Sequence, residues 1–411
     1  MTLKSILLGL IVCASAALCH AENTEPAWNS WRGARHDGIE RSAFQEPAAW
    51  PKKLTVVWQT EVGNGFSSPV CDGTTVYVQH RSETQEFVSA FDAAAGRMLW
   101  KLILSEISEP QTHDPAPTPD CGVPGSLFVH SLTGAVFKLN SKTGEIRWKR
   151  DLPAEWKAAG FRQQYGVAAS PIRVDETVLL PIGNKEMAKA VALKMSDGSS
   201  AWELPTSAPG YTSFMPLQLD GKPHLATLLF HELIVLKQDG GKYAPAFSFE
   251  LKGGGDGNSA MPVPIGDNRV LITSHEATVA LTVFPGVAKC EEAWRLEVGG
   301  NLSTPVFVNG RIYMFDGQKI LSLDPASGKT LSFLEADGQY CALVAWGNVL
   351  IARLHDGTLK FIDIKSEPMK LLADYPATDD TPECWSAPMP LAPARLVLRN
   401  GSKLLCMTWA K

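Results

Sequence analysis

The stretch Phe91-Asp92-Ala93-Ala94-Ala95-Gly96-Arg97-Met98-Leu99-Trp100 places a glycine four residues after an aspartate and a tryptophan four residues after the glycine. Leu139-Asn140-Ser141-Lys142-Thr143-Gly144-Glu145-Ile146-Arg147-Trp148 keeps both spacings. Gly198 with Trp202 repeats the second half, and Asp324 with Gly328 the first, with Ser332 standing where the indole would fall. An Asp or Asn side chain caps the backbone of a turn, and glycine takes the positive φ that closes a hairpin. Each copy therefore reads as strand, turn, strand.

A second marker precedes the copies: a small or polar residue, then proline, then an apolar strand. It occurs as Ser68-Pro69-Val70, Thr118-Pro119, Ser170-Pro171-Ile172, Met215-Pro216-Leu217, Met261-Pro262-Val263, Thr304-Pro305-Val306 and Ala387-Pro388-Met389. The prolines step by 50, 52, 45, 46, 43 and 83 residues, and Asn348–Ala352 with Leu359–Asp363 supply the unit missing from the last interval. A period of about 40 to 50 residues with four short strands per unit is the signature of β-propeller blades. The expected fold is all-β, an eight-bladed propeller of four-stranded antiparallel blades. One blade cannot bury its own faces, so the indoles are expected to wedge between neighbours. The small residues before the prolines predict a narrow axis. The eighth unit is one strand short, and Leu54-Thr55-Val56-Val57-Trp58, which precedes the first unit, is expected to complete it and remove the open edges.

Upstream lies Met1–Lys4 with one positive charge, an apolar run from Ser5 to Leu18, and Cys19-His20-Ala21 ending in a small residue. This predicts a signal peptide over residues 1–21 and export to the periplasm or beyond the cell. Residues 22–53 then form an arm or strap and 54–411 the propeller. No later stretch is long enough to span a bilayer. The net charge is −5 with no basic run, which argues against nucleic-acid binding. Six cysteines remain after the leader (Cys71, Cys121, Cys290, Cys341, Cys384 and Cys406), without a CxxC spacing. Disulfides and buried thiols both remain open for them.

The proline-led strand, the Asp turn, the glycine and the tryptophan resemble the PQQ-like, or quinoprotein-type, β-propeller repeat over residues 54–411. That family holds quinoprotein alcohol dehydrogenases and non-enzymatic exported scaffolds of the BamB outer-membrane assembly type. For a dehydrogenase the resemblance implies a flat quinone over a tryptophan floor, a disulfide of adjacent cysteines, a calcium or lanthanide ion and a catalytic aspartate. No two cysteines are adjacent here, and Asp114, Glu186, Asp256, Asn258 and Asn301 are scattered among loops where turn capping is their simpler role. There is no Gly-x-Ser-x-Gly elbow, His-Glu-x-x-His helix or phosphate-binding loop. His231-Glu232 and His275-Glu276 pair a base with a carboxylate, but neighbours on a strand face opposite ways. Trp28-Asn29-Ser30-Trp31-Arg32-Gly33 resembles the opening of exported propellers of this type and reads as a docking strip or as a strap over one face.

The loops ahead of the proline-led strands should form one rim carrying Asn64, Phe66, Tyr165, Tyr211, Asn258, Asn301, Tyr340 and Trp385. Its aromatic and amide groups suit contacts with a protein or envelope polymer. The expectation is an exported, monomeric, non-catalytic propeller acting as a binding or assembly scaffold in the cell envelope, with no cofactor and no catalytic or metal residues. The alternatives are a dehydrogenase dependent on pyrroloquinoline quinone (PQQ) and calcium, and a carbohydrate-active propeller enzyme.

Overall fold

The computed structural model describes residues 28–107, 114–157, 167–184, 186–251, 258–300, 302–377 and 383–410. The leader therefore lies outside the described residues. Eight small sheets follow one another along the chain, and they are the eight blades expected from the repeat. Blade 1 spans 70–106, blade 2 126–151, blade 3 172–205, blade 4 215–250, blade 5 263–296, blade 6 306–335, blade 7 341–375 and blade 8 389–408. In blade 2 the innermost strand shrinks to a bridge between Asp120 and Phe128. Blade 8 is completed by Thr55–Glu61, which runs antiparallel to Lys403–Thr408 and closes the ring as the sequence predicted.

Burial explains why strand patterns differ within a blade. The middle strands, such as Thr75–Arg81 and Gln85–Asp92, are buried on both faces because each blade is covered by its neighbours. The outer strand Ile146–Asp151 alternates between exposed and half-buried side chains, as a strand with one wet face does.

The turns and indoles lock the blades together. Asp92 Oδ1 accepts the backbone N–H groups of Ala94 and Ala95, each at 2.9 Å, and Gly96 turns at φ 68°. The indole of one blade then seats on the turn of the next. Trp100 Nε1 donates to Ser141 O at 3.0 Å, Trp148 Nε1 to Met195 O at 3.2 Å and Trp294 Nε1 to Pro325 O at 2.9 Å. Between blades 6 and 7, where Ser332 replaces the indole, Ser322 and Ser332 both donate to the Glu367 carboxylate instead. Trp202 packs near Tyr243 of blade 4, with ring centroids 6.0 Å apart.

Near the axis a collar of hydroxyls joins the inner strands. Ala387 N donates to Ser68 Oγ at 2.9 Å, Ser68 N to Thr118 Oγ1 at 3.1 Å, Thr118 N to Ser170 Oγ at 2.9 Å and Ser170 N to Ser213 Oγ at 2.8 Å. Met261 N and Cys341 N are met in the same way by Thr304 and Ser303, just ahead of blade 6. Four of the seven residues before the prolines, Ser68, Thr118, Ser170 and Thr304, thus serve as hydroxyl acceptors. The narrow axis predicted from their size is not found, because the ring admits a length of chain and a cavity. No disulfide joins the described cysteines, Cys71, Cys121, Cys290, Cys341, Cys384 and Cys406, and all but Cys290 are buried.

Candidate binding site at the mouth of the axis

The arm before the propeller enters the axis and closes one end of it. Trp28 O accepts from Cys71 N of blade 1, and Asn29 O accepts from Cys121 N beside blade 2. Trp31 Nε1 reaches Met261 Sδ at 3.0 Å, and the Arg32 guanidinium donates to Thr304 O at 3.3 Å and Pro305 O at 2.7 Å. Ile39 and Glu40 then pair in parallel with Ala345 and Trp346, adding a fifth strand to blade 7. Backbone groups on the inner edges, which no neighbouring strand covers, find partners this way. The chain leaves over blades 7 and 8, with Phe44 edge-on to Trp346 at 5.1 Å and Trp50 against Phe361 at 4.5 Å. Arg32 is buried, so the docking strip of exposed groups is replaced by an inserted plug.

Above the plug lies a cavity of about 610 Å³ floored by Trp28, Trp31 and Arg32. Its mouth carries four of the predicted rim aromatics, Phe66, Tyr211, Tyr340 and Trp385, all half-buried. Trp385 draws three of the mouth groups together, with centroids 5.9 Å from Phe66, 5.8 Å from Tyr340 and 4.4 Å from His355. Glu383, on the same loop, approaches His355 Nε2 at 3.4 Å. Asn64 is exposed and pairs by its backbone with Arg81, while Asn258 is buried and uses its amide on the carbonyls of Leu229 and Phe230. Tyr165 and Asn301 lie outside the described residues.

The other polar candidates are engaged elsewhere. Asp114 pairs with Arg81 at 2.5 Å, and Glu232 accepts from Ser207 Oγ at 2.6 Å. The Glu186 side chain is exposed on a turn capped by Asn184 Oδ1, which accepts the Glu186 N–H, and Asp256 is outside the described residues. His275 lines the cavity. Among the described residues no three His, Cys, Asp or Glu side chains stand together as a metal site.

Burial governs the charges around the axis. Desolvation lowers the Arg32 pKa to about 10 despite the nearby Asp37 charge, and the side chain keeps its proton at neutral pH. Arg399, also buried, is lowered to about 9 for the same reason, and it holds Gly63 O and Gln79 O at 2.6 Å each. Glu86, between blades 1 and 2, has its pKa raised by burial, offset in part by donors from Ser131, Leu132, Ser105 and Gln79. Sequence reading missed Arg32 as a floor residue and Arg399 as a lock between the last and first blades. Positive φ at Arg32, 62°, and Gly33, 86°, marks the tight fold of the plug, and the Arg32-Gly33 pair was its one visible sign.

Comparison with known proteins follows the same lines. Residues 48–226 match the family model described as outer membrane protein assembly factor BamB. No curated protein is detectably similar in sequence. Among solved structures, BamB from Moraxella catarrhalis superposes with a TM-score of 0.62 at 12% identity, over 87% of this chain and 98% of that one. The quinohemoprotein alcohol dehydrogenase of Comamonas testosteroni gives 0.67 at 13% identity, over 93% of this chain and 80% of that one. A europium-containing methanol dehydrogenase gives 0.66 at 11% identity, over 93% and 98%. At these identities the structural likeness speaks for the fold. The repeat and the closed ring define an eight-bladed β-propeller. Residues 48–226 are similar to the PQQ-like β-propeller family, and the ring as a whole shares its fold.

Proposed function

We propose that the chain is an exported, non-catalytic propeller that binds a protein or polymer of the cell envelope through the rim around its axis. One observation carries this reading: Phe66, Tyr340 and Trp385 form a half-exposed aromatic group at the mouth of an axis whose other end is plugged by the chain's own arm. Aromatic side chains supply contact area at low entropic cost, and they are enriched at protein interfaces. The family match to an assembly factor supports the same direction. Photo-crosslinkers placed at Phe66 and Trp385 should capture one partner in cells, while one at Val287, exposed on the turn between the last two strands of blade 5, should not. Equal capture from all three positions would refute a rim-specific partner.

The quinone dehydrogenase reading draws on the indole floor of the cavity. A hard cation needs several convergent oxygen ligands. Among the described cavity residues, Glu383 is the one carboxylate, and it sits at the mouth against His355. These residues do not fit a calcium-assisted quinone site, so the scaffold reading is preferred.

A further inference from the structure

The cavity wall is divided between donors and aromatics. Ser170 of blade 3, Ser213 before blade 4 and Thr304 before blade 6 all line it. Each accepts one backbone N–H, from Thr118, Ser170 and Met261 respectively. A hydroxyl offers one donor besides its acceptor sites, and none of these three donates its hydrogen to a described residue. Ser259, also in the wall, makes no side-chain hydrogen bond among the described residues. On the floor, Arg32 meets the carbonyls of Thr304, Pro305 and Asp37, and its buried Nε has no acceptor. Its charge faces no bonded carboxylate, since Asp37 pairs with Arg41 at 2.5 Å. The described residues of blades 3 to 6 therefore offer the cavity hydroxyls, each with a donor hydrogen and an acceptor site still unused, above a guanidinium floor. Phe66, Tyr340 and Trp385 form the opposite, apolar wall.

We propose that this cavity binds an acidic sugar, a pyranose bearing a carboxylate. A pyranose ring has a flat CH face for the indole and ring of Trp385 and Tyr340, and oxygens on every edge for the hydroxyls. Its carboxylate answers the buried guanidinium, where a neutral group would leave the charge unpaired. The plug makes the cavity blind, so it takes a free sugar acid or the end unit of an acidic polysaccharide. Its volume, about 610 Å³, lies within the usual range for small-molecule pockets. The inference concerns the cavity alone and does not need the partner proposed for the rim.

Isothermal titration of the purified protein with sodium glucuronate, glucose and benzoate tests it. Glucuronate should bind saturably, and glucose and benzoate should each bind about tenfold more weakly or worse, one lacking the charge and the other the ring oxygens. Arg32→Gln should reduce glucuronate affinity to that of glucose. Because Arg32 also holds the plug, Ser259→Ala supplies an independent variant that breaks no hydrogen bond; it should weaken glucuronate about fivefold with an unchanged thermal midpoint. A glucuronate-terminated oligosaccharide binding as tightly as the free acid identifies the polysaccharide end as the source; tighter binding by the free acid identifies the monosaccharide. Absence of saturable glucuronate binding, glucose equal to glucuronate, benzoate equal to glucuronate, or a Ser259→Ala variant that binds like the parent would each overturn the proposal. None of these outcomes alters the crosslinks expected at the rim.

Discussion

Trp58, on the strand that closes the ring, lies so close over Gly96 of blade 1 that a Cβ on the glycine would stand 2.5 Å from the indole Cε3. Its Nε1 donates to Ala93 O at 3.0 Å. The same pairing joins Trp100 to Gly144, Trp148 to Gly198 and Trp294 to Gly328, with corresponding closest distances of 2.8, 2.8 and 2.7 Å. The glycine in the repeat thus answers two demands at once, the left-handed backbone of the turn and the space for a neighbour's indole.

Gly96→Ala should therefore cost more than the strain of its backbone. We expect a loss of about 2–4 kcal/mol in urea unfolding, from the left-handed conformation together with overpacking. Gly73→Ala, at φ 104° with nothing within 4 Å of its Cβ, isolates the backbone cost and should lose about 1 kcal/mol. Equal losses at the two positions would show that the indole contact is loose.

Arg399 should be a stability lock between blade 8 and blade 1. Its guanidinium holds Gly63 O, Ser67 O and Gln79 O, so Arg399→Met leaves buried carbonyls without donors. The expected loss is about 3 kcal/mol by chemical unfolding, from the desolvation of those groups. A loss below about 1 kcal/mol would mean that water or a side-chain shift replaces the guanidinium.

The collar hydroxyls predict an effect that size alone does not. Thr118→Val keeps the shape but removes the acceptor of Ser68 N, so thermal unfolding should report a loss of about 1–3 kcal/mol. Thr118→Ser keeps the acceptor and should stay within about 1 kcal/mol of the parent. If valine is tolerated as well as serine, the hydroxyl contributes nothing to blade joining.

His80 should make stability depend on pH. Burial, then the nearby charges of Arg399 and Lys101, lowers its pKa to about 3 from the usual 6.5, so it is neutral in the fold. The unfolded chain takes up the proton first. The stabilising contribution is complete above pH 6.5 and is lost as pH falls toward 3. Relative to His80→Gln, the parent should lose about 1.4 kcal/mol per pH unit across that window. Parallel stability curves for the two proteins would show that His80 titrates normally.

Blade number, ring closure and the seating of the indoles were legible because each rests on local chemistry repeated at a fixed period: an Asp or Asn cap, a glycine at positive φ and an indole four residues on. Trp58 could be assigned to blade 8 because it carried that signature ahead of the first unit. The plug was not legible. Its contacts run to backbone groups such as Cys71 N, Cys121 N and Ala345 N, which every sequence has and none distinguishes. The width of the axis was misjudged because Ser68, Thr118 and Ser170 were read by volume, while their oxygens do the joining. For the rim, the loop positions ahead of the prolines found Phe66, Tyr211, Tyr340 and Trp385 at one mouth. Which amides pointed inward depended on tertiary hydrogen bonds, and Asn258 is taken up by two carbonyls of the preceding blade.

The central claim is that this propeller keeps the quinoprotein fold and works by binding, without quinone chemistry. The most direct test is titration of the purified protein with PQQ, with and without calcium, following tryptophan fluorescence and dye-linked alcohol oxidation. The account predicts no quinone-dependent turnover under either condition. Saturable quinone binding accompanied by calcium-dependent turnover would contradict it.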